Sequence, residues 1–275
     1  MAPLNHLWKK KLVKALYGYQ ERKMLYPCRL CGKTFTRVDN RTRHEMHYCR
    51  CLQQDEEPIE DRSTDFQFHM PSSILIVGPS SCGKTYFTKR LLLENLKLFQ
   101  RRPKAIVYCT SMYQECFEEM GEAGIQFHKG IPNDEDLDKW FPKGQGILIL
   151  DDLMNEGSGD KRVLDLFTRN SHHRDITVLY LCQDMFPVGK YAKTISRNAH
   201  YIIAFKNPRD QLGVRNVLLQ AFPGTWQPAL KVFQHVTKQP YQYLLLDLHP
   251  ASDDDQRLVT RILKDEGQTT TFDLL

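Results

Sequence analysis

No stretch of this 275-residue chain approaches the ~20 consecutive apolar residues needed to cross a bilayer. Its longest aliphatic runs are of the size of Ile74 to Val77 and Ile147 to Leu150, so no membrane association is expected. Met1 to Lys11 also lacks the apolar core of a secretory peptide, because Lys9, Lys10 and Lys11 stand where it would lie. An intracellular, non-secreted protein is expected. Cysteine is present but not in the pattern of a disulfide framework. Cys28, Cys31, Cys49 and Cys51 crowd into one short segment, while Cys82, Cys109, Cys116 and Cys182 are scattered, which suits a reducing compartment and one metal site. No internal repeat has a solenoid period. With 41% hydrophobic and 26% charged residues, the chain is neither disordered nor collagen-like.

Acidic residues are scarce at one end only. Residues 1–52 carry twelve Lys and Arg against three acids (Glu21, Asp39 and Glu45), leaving 26 basic and 30 acidic residues for the remainder. The net charge of +5 therefore averages a strongly basic head and a mildly acidic body. Within the head, Leu4, Trp8, Leu12, Leu16 and Tyr19 recur at helical spacing, which predicts a basic amphipathic helix in residues 1–23. Residues 24–52 form a second unit, and residues 53–70, acidic and broken by Pro58, read as a linker. From residue 71 to about 250, short β-rich runs alternate with longer helical stretches. The runs are Ile74 to Val77, Ala105 to Cys109, Ile147 to Leu150, Ile176 to Cys182, Tyr201 to Phe205 and Tyr243 to Leu246. This alternation predicts an α/β domain with a mostly parallel central sheet flanked by helices. Residues 251–275 are expected to form a C-terminal helix and tail.

The strongest motif is Gly78-Pro79-Ser80-Ser81-Cys82-Gly83-Lys84-Thr85, which fits the phosphate-binding pattern G-x-x-x-x-G-K-[ST]. It follows a predicted strand and opens a predicted helix, Tyr86 to Phe99, with Leu91, Leu92, Leu96 and Phe99 available to face the sheet. That arrangement converges backbone N–H groups on phosphate oxygens beside the positive end of the helix dipole. Lys84 would reach the β- and γ-phosphates of ATP, and the Thr85 hydroxyl would take a Mg²⁺ position. Gly146-Ile147-Leu148-Ile149-Leu150-Asp151-Asp152 then supplies a buried strand with acids at its carboxyl end. Asp151 would hold Mg²⁺ through water and Asp152 would polarise the attacking water. The strand Ile176 to Cys182 ends at Gln183, an amide able to contact the γ-phosphate or the water. Before it, Arg169 and Arg174 bracket Asn170-Ser171-His172-His173. Either arginine could serve a neighbouring subunit's nucleotide, or form a surface salt bridge.

The order of GPSSCGKT, ILILDD, NSHHRDITVLYLCQ, NAHYIIAFKNPRD and YLLLDLHP resembles the FtsK–HerA superfamily of P-loop ATPases. Within it, the motifs are most similar to the genome-packaging ATPases of poxviruses and of Maverick/Polinton and adintovirus-like elements. The resemblance covers about Pro71 to Pro250. It implies a P-loop NTPase fold and a homo-oligomeric ring that moves double-stranded DNA at the expense of Mg-ATP, working with capsid or other packaging proteins. A virion or host nuclear or cytoplasmic location follows from it. It also implies phosphate contacts at Gly78 to Thr85, Mg²⁺ at Asp151, a base at Asp152, a sensor at Gln183 and a trans-acting finger at Arg169 or Arg174. Many such ATPases carry glutamate at the position of Asp152, so a shorter side chain must reach the water here. Lys206, Arg209 and Arg215 are candidates for nucleotide-edge or inter-subunit contacts, or are ordinary exposed charges.

In the basic head, Cys28, Cys31 and His44 match the first three ligands of a C₂H₂-like ββα zinc finger, with Tyr26 and Phe35 as its aromatic core. Cys49 fits the spacing of the fourth Zn²⁺ ligand, with His47 and Cys51 as alternatives. Arg41 stands where such helices carry a core leucine, leaving Val38 or the N-terminal helix to fill that space. The metal would provide most of the stability of so small a unit. Counted back from His44, Arg37, Asn40 and Arg43 occupy the base-reading positions of DNA-binding fingers. The finger would engage DNA or dock a packaging protein. An alternative to the motor is a non-translocating zinc-finger DNA-binding protein whose assembly ATP switches. A small-molecule kinase lacks any visible acceptor motif.

Overall fold

The computed structural model describes residues 25–27, 33–44, 61–153, 160–186 and 189–274. The chain divides into two compact units, Met1–Pro58 and Ile59–Leu275. The expected helix of residues 1–23, together with Cys28, Cys31, His47, Cys49 and Cys51, lies outside the described residues.

In the first unit, β1 (Tyr26–Pro27) pairs antiparallel with β2 (Thr34–Phe35), placing Tyr26 opposite Phe35. The helix Val38–Arg43 follows, giving the order strand, strand, helix. His44 caps its C-terminus, its ring 4.9 Å from that of Phe35. Val38 does not fill the space that Arg41 leaves: it is 45% exposed, because it sits on the first turn, facing outward.

The second unit is built on a ten-stranded sheet. Its strands are β3 (Asp61–Ser63), β4 (Ser73–Val77), β5 (Ala105–Thr110), β6 (Gln126–Lys129), β7 (Gly146–Asp151), β8 (Ile176–Cys182), β9 (Tyr201–Phe205), β10 (Tyr243–Asp247), β11 (Leu258–Thr260) and β12 (Thr270–Phe272). They lie in the order β3-β12-β11-β10-β9-β4-β8-β7-β5-β6. Six of them, β9 to β6 in that order, run parallel. The other four form an antiparallel extension beside β9. All six predicted runs are strands. β4, β7, β8, β9 and β10 are buried at every position, as near-continuous Val, Ile and Leu requires of strands covered on both faces.

Alternate residues feed separate cores. Leu75, Leu148, Val178 and Tyr180 join helices Gln211–Ala221 and Trp226–Val236 on one face. Ile74, Ile76, Ile149 and Leu181 meet Phe87, Leu91 and Leu92 of helix Lys84–Glu94 on the other.

Three expectations need correction. No α-helix forms among the described residues after 250, where short 3₁₀ turns at Asp254–Gln256 and Lys264–Glu266 flank β11 and β12. The apolar residues there (Leu258, Val259, Ile262, Leu263 and Phe272) are spaced for edge strands and their connection, and Tyr243 caps the turn by donating its hydroxyl to Glu266. The linker does not extend to residue 70: β3 pairs with β12, and Phe68 is fully buried between Phe99 and Tyr201. The helix expected over Tyr86 to Phe99 ends at Glu94, where Asn95 turns its amide onto the Arg90 carbonyl, and Leu96–Leu98 form a 3₁₀ turn.

Four histidines gather at the end of the sheet where β4, β8 and β9 begin. His69 and His249 stack at 4.1 Å, His200 lies 5.1 Å from His249, and His172 lies 5.5 Å from His200. The backbone N–H of Ser73 donates to His200 Nδ1 at 3.1 Å. Burial, with the neighbouring histidines adding to it, lowers the pKa of His200 to about 4.

Candidate active site

The candidate site lies at the opposite end, where the parallel strands finish and ligands of open α/β sheets bind. β4 delivers the chain into residues 78–83, and helix Lys84–Glu94 leaves it. The Gly78 N–H donates to the Cys182 carbonyl at 3.1 Å, which ties the start of the loop to the end of β8. A Cβ at Gly78 would lie 2.6 Å from Cys82 Sγ and 2.8 Å from Phe205 Cβ, so only glycine passes between them. Ser81 and Gly83 take left-handed backbone angles (φ 64° and 104°), which turn the loop back into the helix. Lys84 folds over this loop, its ammonium donating to the carbonyls of Gly78 at 2.6 Å and Pro79 at 3.1 Å. Cys82 is partly exposed here, and burial raises its pKa.

Asp151 ends β7 and is only 4% exposed. Its Oδ2 accepts from the Thr85 hydroxyl at 3.3 Å and from the Tyr108 hydroxyl at 2.6 Å. Burial raises its pKa, while the hydrogen bonds from Tyr108 and Thr85 and the charge of Lys84 oppose that rise. Burial beside this carboxylate pushes the Tyr108 phenol well above its usual range, so it remains a donor.

Asp152 is exposed at φ 53°, and its carbonyl accepts from Ser111 Oγ at 2.9 Å. Gln183 follows β8, which is hydrogen-bonded between β4 and β7. Ser80, Ser81, Lys84, Thr85, Asp151, Asp152 and Gln183 thus line one cavity of about 450 Å³. The donor set fits a hard divalent cation: a hydroxyl and a carboxylate oxygen 3.3 Å apart beside an exposed second acid. The inward-curled loop at a helix N-terminus fits phosphate.

The arginines lie elsewhere. Arg174 precedes β8 while Gln183 follows it, a separation of roughly 20 Å at the rise of a strand. Its guanidinium pairs with Asp134 at 3.0 Å and with Asp138. Arg169 pairs with Asp165 at 3.3 Å and is mostly exposed. Neither joins the cavity of its own chain.

Sequence reasoning missed Tyr108, and around the FKNPRD block it named Lys206, Arg209 and Arg215 but neither Asn207 nor Asp210. Lys206 and Arg209 are exposed and Arg215 stacks on Trp226 at 4.9 Å, whereas Asn207 and Asp210 hold the turn after β8. Asn207 donates to the Gln183 carbonyl at 3.2 Å and to Asp184, and Asp210 accepts from the Met185 N–H at 2.8 Å.

In the first unit, Arg37 and Asn40 are exposed near the start of the helix. Arg37 lies 3.9 Å from Asp39. Arg43 ends that helix, and His44 is the described member of the expected zinc set.

No family model matches the sequence, and no curated protein matches it. Among solved structures, the genome packaging NTPase B204 from Sulfolobus turreted icosahedral virus 2 is similar. In complex with ATP-gammaS it has a TM-score of 0.43 and 15% identity over 74% of this chain and 98% of that one. In complex with AMP it has a TM-score of 0.41 and 14% identity over 65% and 93%. That degree of superposition carries no functional conclusion, which rests on the site itself.

Proposed function

We propose that this chain is a Mg-dependent ATPase of the genome-packaging type, which couples ATP hydrolysis to movement of double-stranded DNA. The observation that supports it most is the meeting of Thr85 and Asp151 at 3.3 Å across the end of β8, next to a loop whose glycines admit no side chain. A nucleoside triphosphate would lie with its phosphates on the N–H groups of residues 78–85 and on Lys84, which trades the Gly78 and Pro79 carbonyls for phosphate oxygens. Thr85 and Asp151 would hold Mg²⁺, which when bound neutralises phosphate charge. Asp152, exposed on the same cavity, accepts the proton of the attacking water, and Gln183 orients that water. Asn207 and Asp210 position the turn that carries Gln183. Arg169, mostly exposed and paired with Asp165 one helical turn away, is better placed than the less exposed Arg174 to reach a neighbouring subunit in a ring.

The motif order shared with packaging ATPases supports the DNA-moving role, and a ring, capsid proteins and a virion or host nuclear or cytoplasmic setting belong to the same reading. In the first unit, Cys28, Cys31, His44 and Cys49 (or His47) would bind Zn²⁺. The unit's charge supports a nucleic-acid partner, with Arg37, Asn40 and Arg43 facing DNA. Its separation as a compact unit favours one competing reading, a non-translocating DNA-binding protein whose assembly responds to ATP.

Steady-state ATP turnover with and without long double-stranded DNA decides between them. The motor reading expects several-fold stimulation by DNA and a loss of at least a hundredfold in Lys84→Ala. Turnover indifferent to DNA would sink it in favour of the switch.

A further inference from the structure

A second and larger cavity, about 880 Å³, adjoins the phosphate loop and shares Gly83 and Tyr86 with the smaller one. Its volume falls within the range of small-molecule sites. The first turn of helix Lys84–Glu94 separates the two, so a nucleotide whose phosphates run along that turn has this cavity for the rest of its body.

Two aromatic side chains stand exposed at its mouth: Tyr86, at 64%, and Tyr241, at 69%. The Tyr241 ring lies against the phosphate loop, its Cδ1 3.3 Å from the point a Cβ on Gly83 would occupy. Tyr241 also takes φ 66° in the connection from helix Trp226–Val236 to β10. A bulky residue seldom adopts that conformation, and an exposed one gains nothing from the core by doing so. Strain of this kind collects at ligand clamps.

We infer that this cavity receives the nucleoside of the bound triphosphate, with Tyr241 as the stacking platform for its base. The inference rests on the phosphate-loop reading above and adds the part of the ligand that the loop does not touch. Every nucleobase offers a π-face, and stacking on a single aromatic side chain contributes substantially to affinity. The polar lining indicates how the base edge is met. Asp265 and Glu266 are engaged, since Arg90 pairs with both at 3.0 and 3.6 Å and Glu266 also accepts from Tyr243. The rest of the polar lining includes Gln239 and Gln242 with His235, Lys238 and Arg261, so the edge meets amides and basic groups rather than an unengaged carboxylate. Guanine, whose N1 and N2 donors are best met by a carboxylate, gains no advantage over adenine.

Calorimetric titration of the full chain with Mg-ATPγS and, separately, with Mg-tripolyphosphate tests this. Tyr241→Gly and Tyr241→Asn relieve the backbone angle while removing the platform, and Tyr241→Phe keeps the platform. Both platform-less variants should bind ATPγS at least tenfold more weakly, yet bind tripolyphosphate within twofold of the parent. Tyr241→Phe should stay within threefold for both ligands. Unchanged ATPγS affinity in Tyr241→Gly and Tyr241→Asn would overturn the assignment, as would an equal loss of both ligands. A parent chain that binds neither ligand would instead refute the phosphate-loop reading, and the nucleoside site with it.

Discussion

At Asp151, removal of the carboxylate from water raises its pKa, and donors from Tyr108 and Thr85 draw it back. Tyr108→Phe takes away the shorter of those hydrogen bonds, so the carboxylate should ionise only at higher pH. The acidic limb of the turnover profile should therefore shift upward in pH, with a loss of about 1–3 kcal/mol in stability for the unpaired lone pair. A pH–rate series beside chemical denaturation measures both. Gly78→Ala acts through space rather than charge. Its methyl would collide with Cys82 and the Phe205 Cβ, and a cost of about 1–3 kcal/mol in thermal unfolding is expected along with loss of nucleotide binding. Lys84, Thr85 and Asp151 were legible in the sequence because phosphate chemistry dictates their spacing along the chain. Tyr108 was not, since an aromatic residue in the run Ala105 to Cys109 looks the same whether it fills a core or holds a carboxylate.

Among the elements, five of the six strands read from the sequence are buried at every position and β5 at its last four, and their unbroken apolar runs leave few other readings. The four that escaped notice are short or polar: Asp61–Ser63, Gln126–Lys129, Leu258–Thr260 and Thr270–Phe272. Three of them lie beyond β10 and are specified by antiparallel pairing with one another, a long-range property that local pattern does not carry. The consequence is a different boundary for the second unit. A chain ended at Pro250 would leave the backbone of β10 unpaired along one edge and uncover Leu245 and Tyr243, a template for aggregation. It should be largely insoluble on expression, whereas residues 59–275 should be soluble with an α/β circular dichroism spectrum. A soluble, folded chain ending at Pro250 would contradict the ten-stranded arrangement.

For the whole molecule, the phosphate site and the histidine group occupy opposite ends of the parallel strands, so acid should affect stability and chemistry separately. His200 binds its proton more readily unfolded, at a pKa near 6.5, than folded, at about 4. Its contribution is therefore fully present above pH 6.5 and is lost as pH falls toward 4. His249 is lowered in the same direction. The raised carboxyls of Asp151, Asp247 and Glu266 act oppositely, but they begin from lower unfolded values. From pH 6.5 to 5 the histidines should dominate, with the loss at His200 reduced by solvent screening of its partly exposed ring. Melting temperature measured across that range should fall with acid, and His200→Gln should flatten the slope.

Strand β8 adds a consequence for how the molecule opens. It is bonded on one side to the strand that feeds the phosphate loop and on the other to the strand that ends in Asp151, with all seven residues buried. Its amides should exchange with deuterium only when the whole sheet comes apart, while those of β3 and β12 at the far margin exchange through local fraying. The two halves of the site are therefore held in register by a strand expected to exchange only on global opening, so the site should keep its geometry while the margin of the sheet opens and closes.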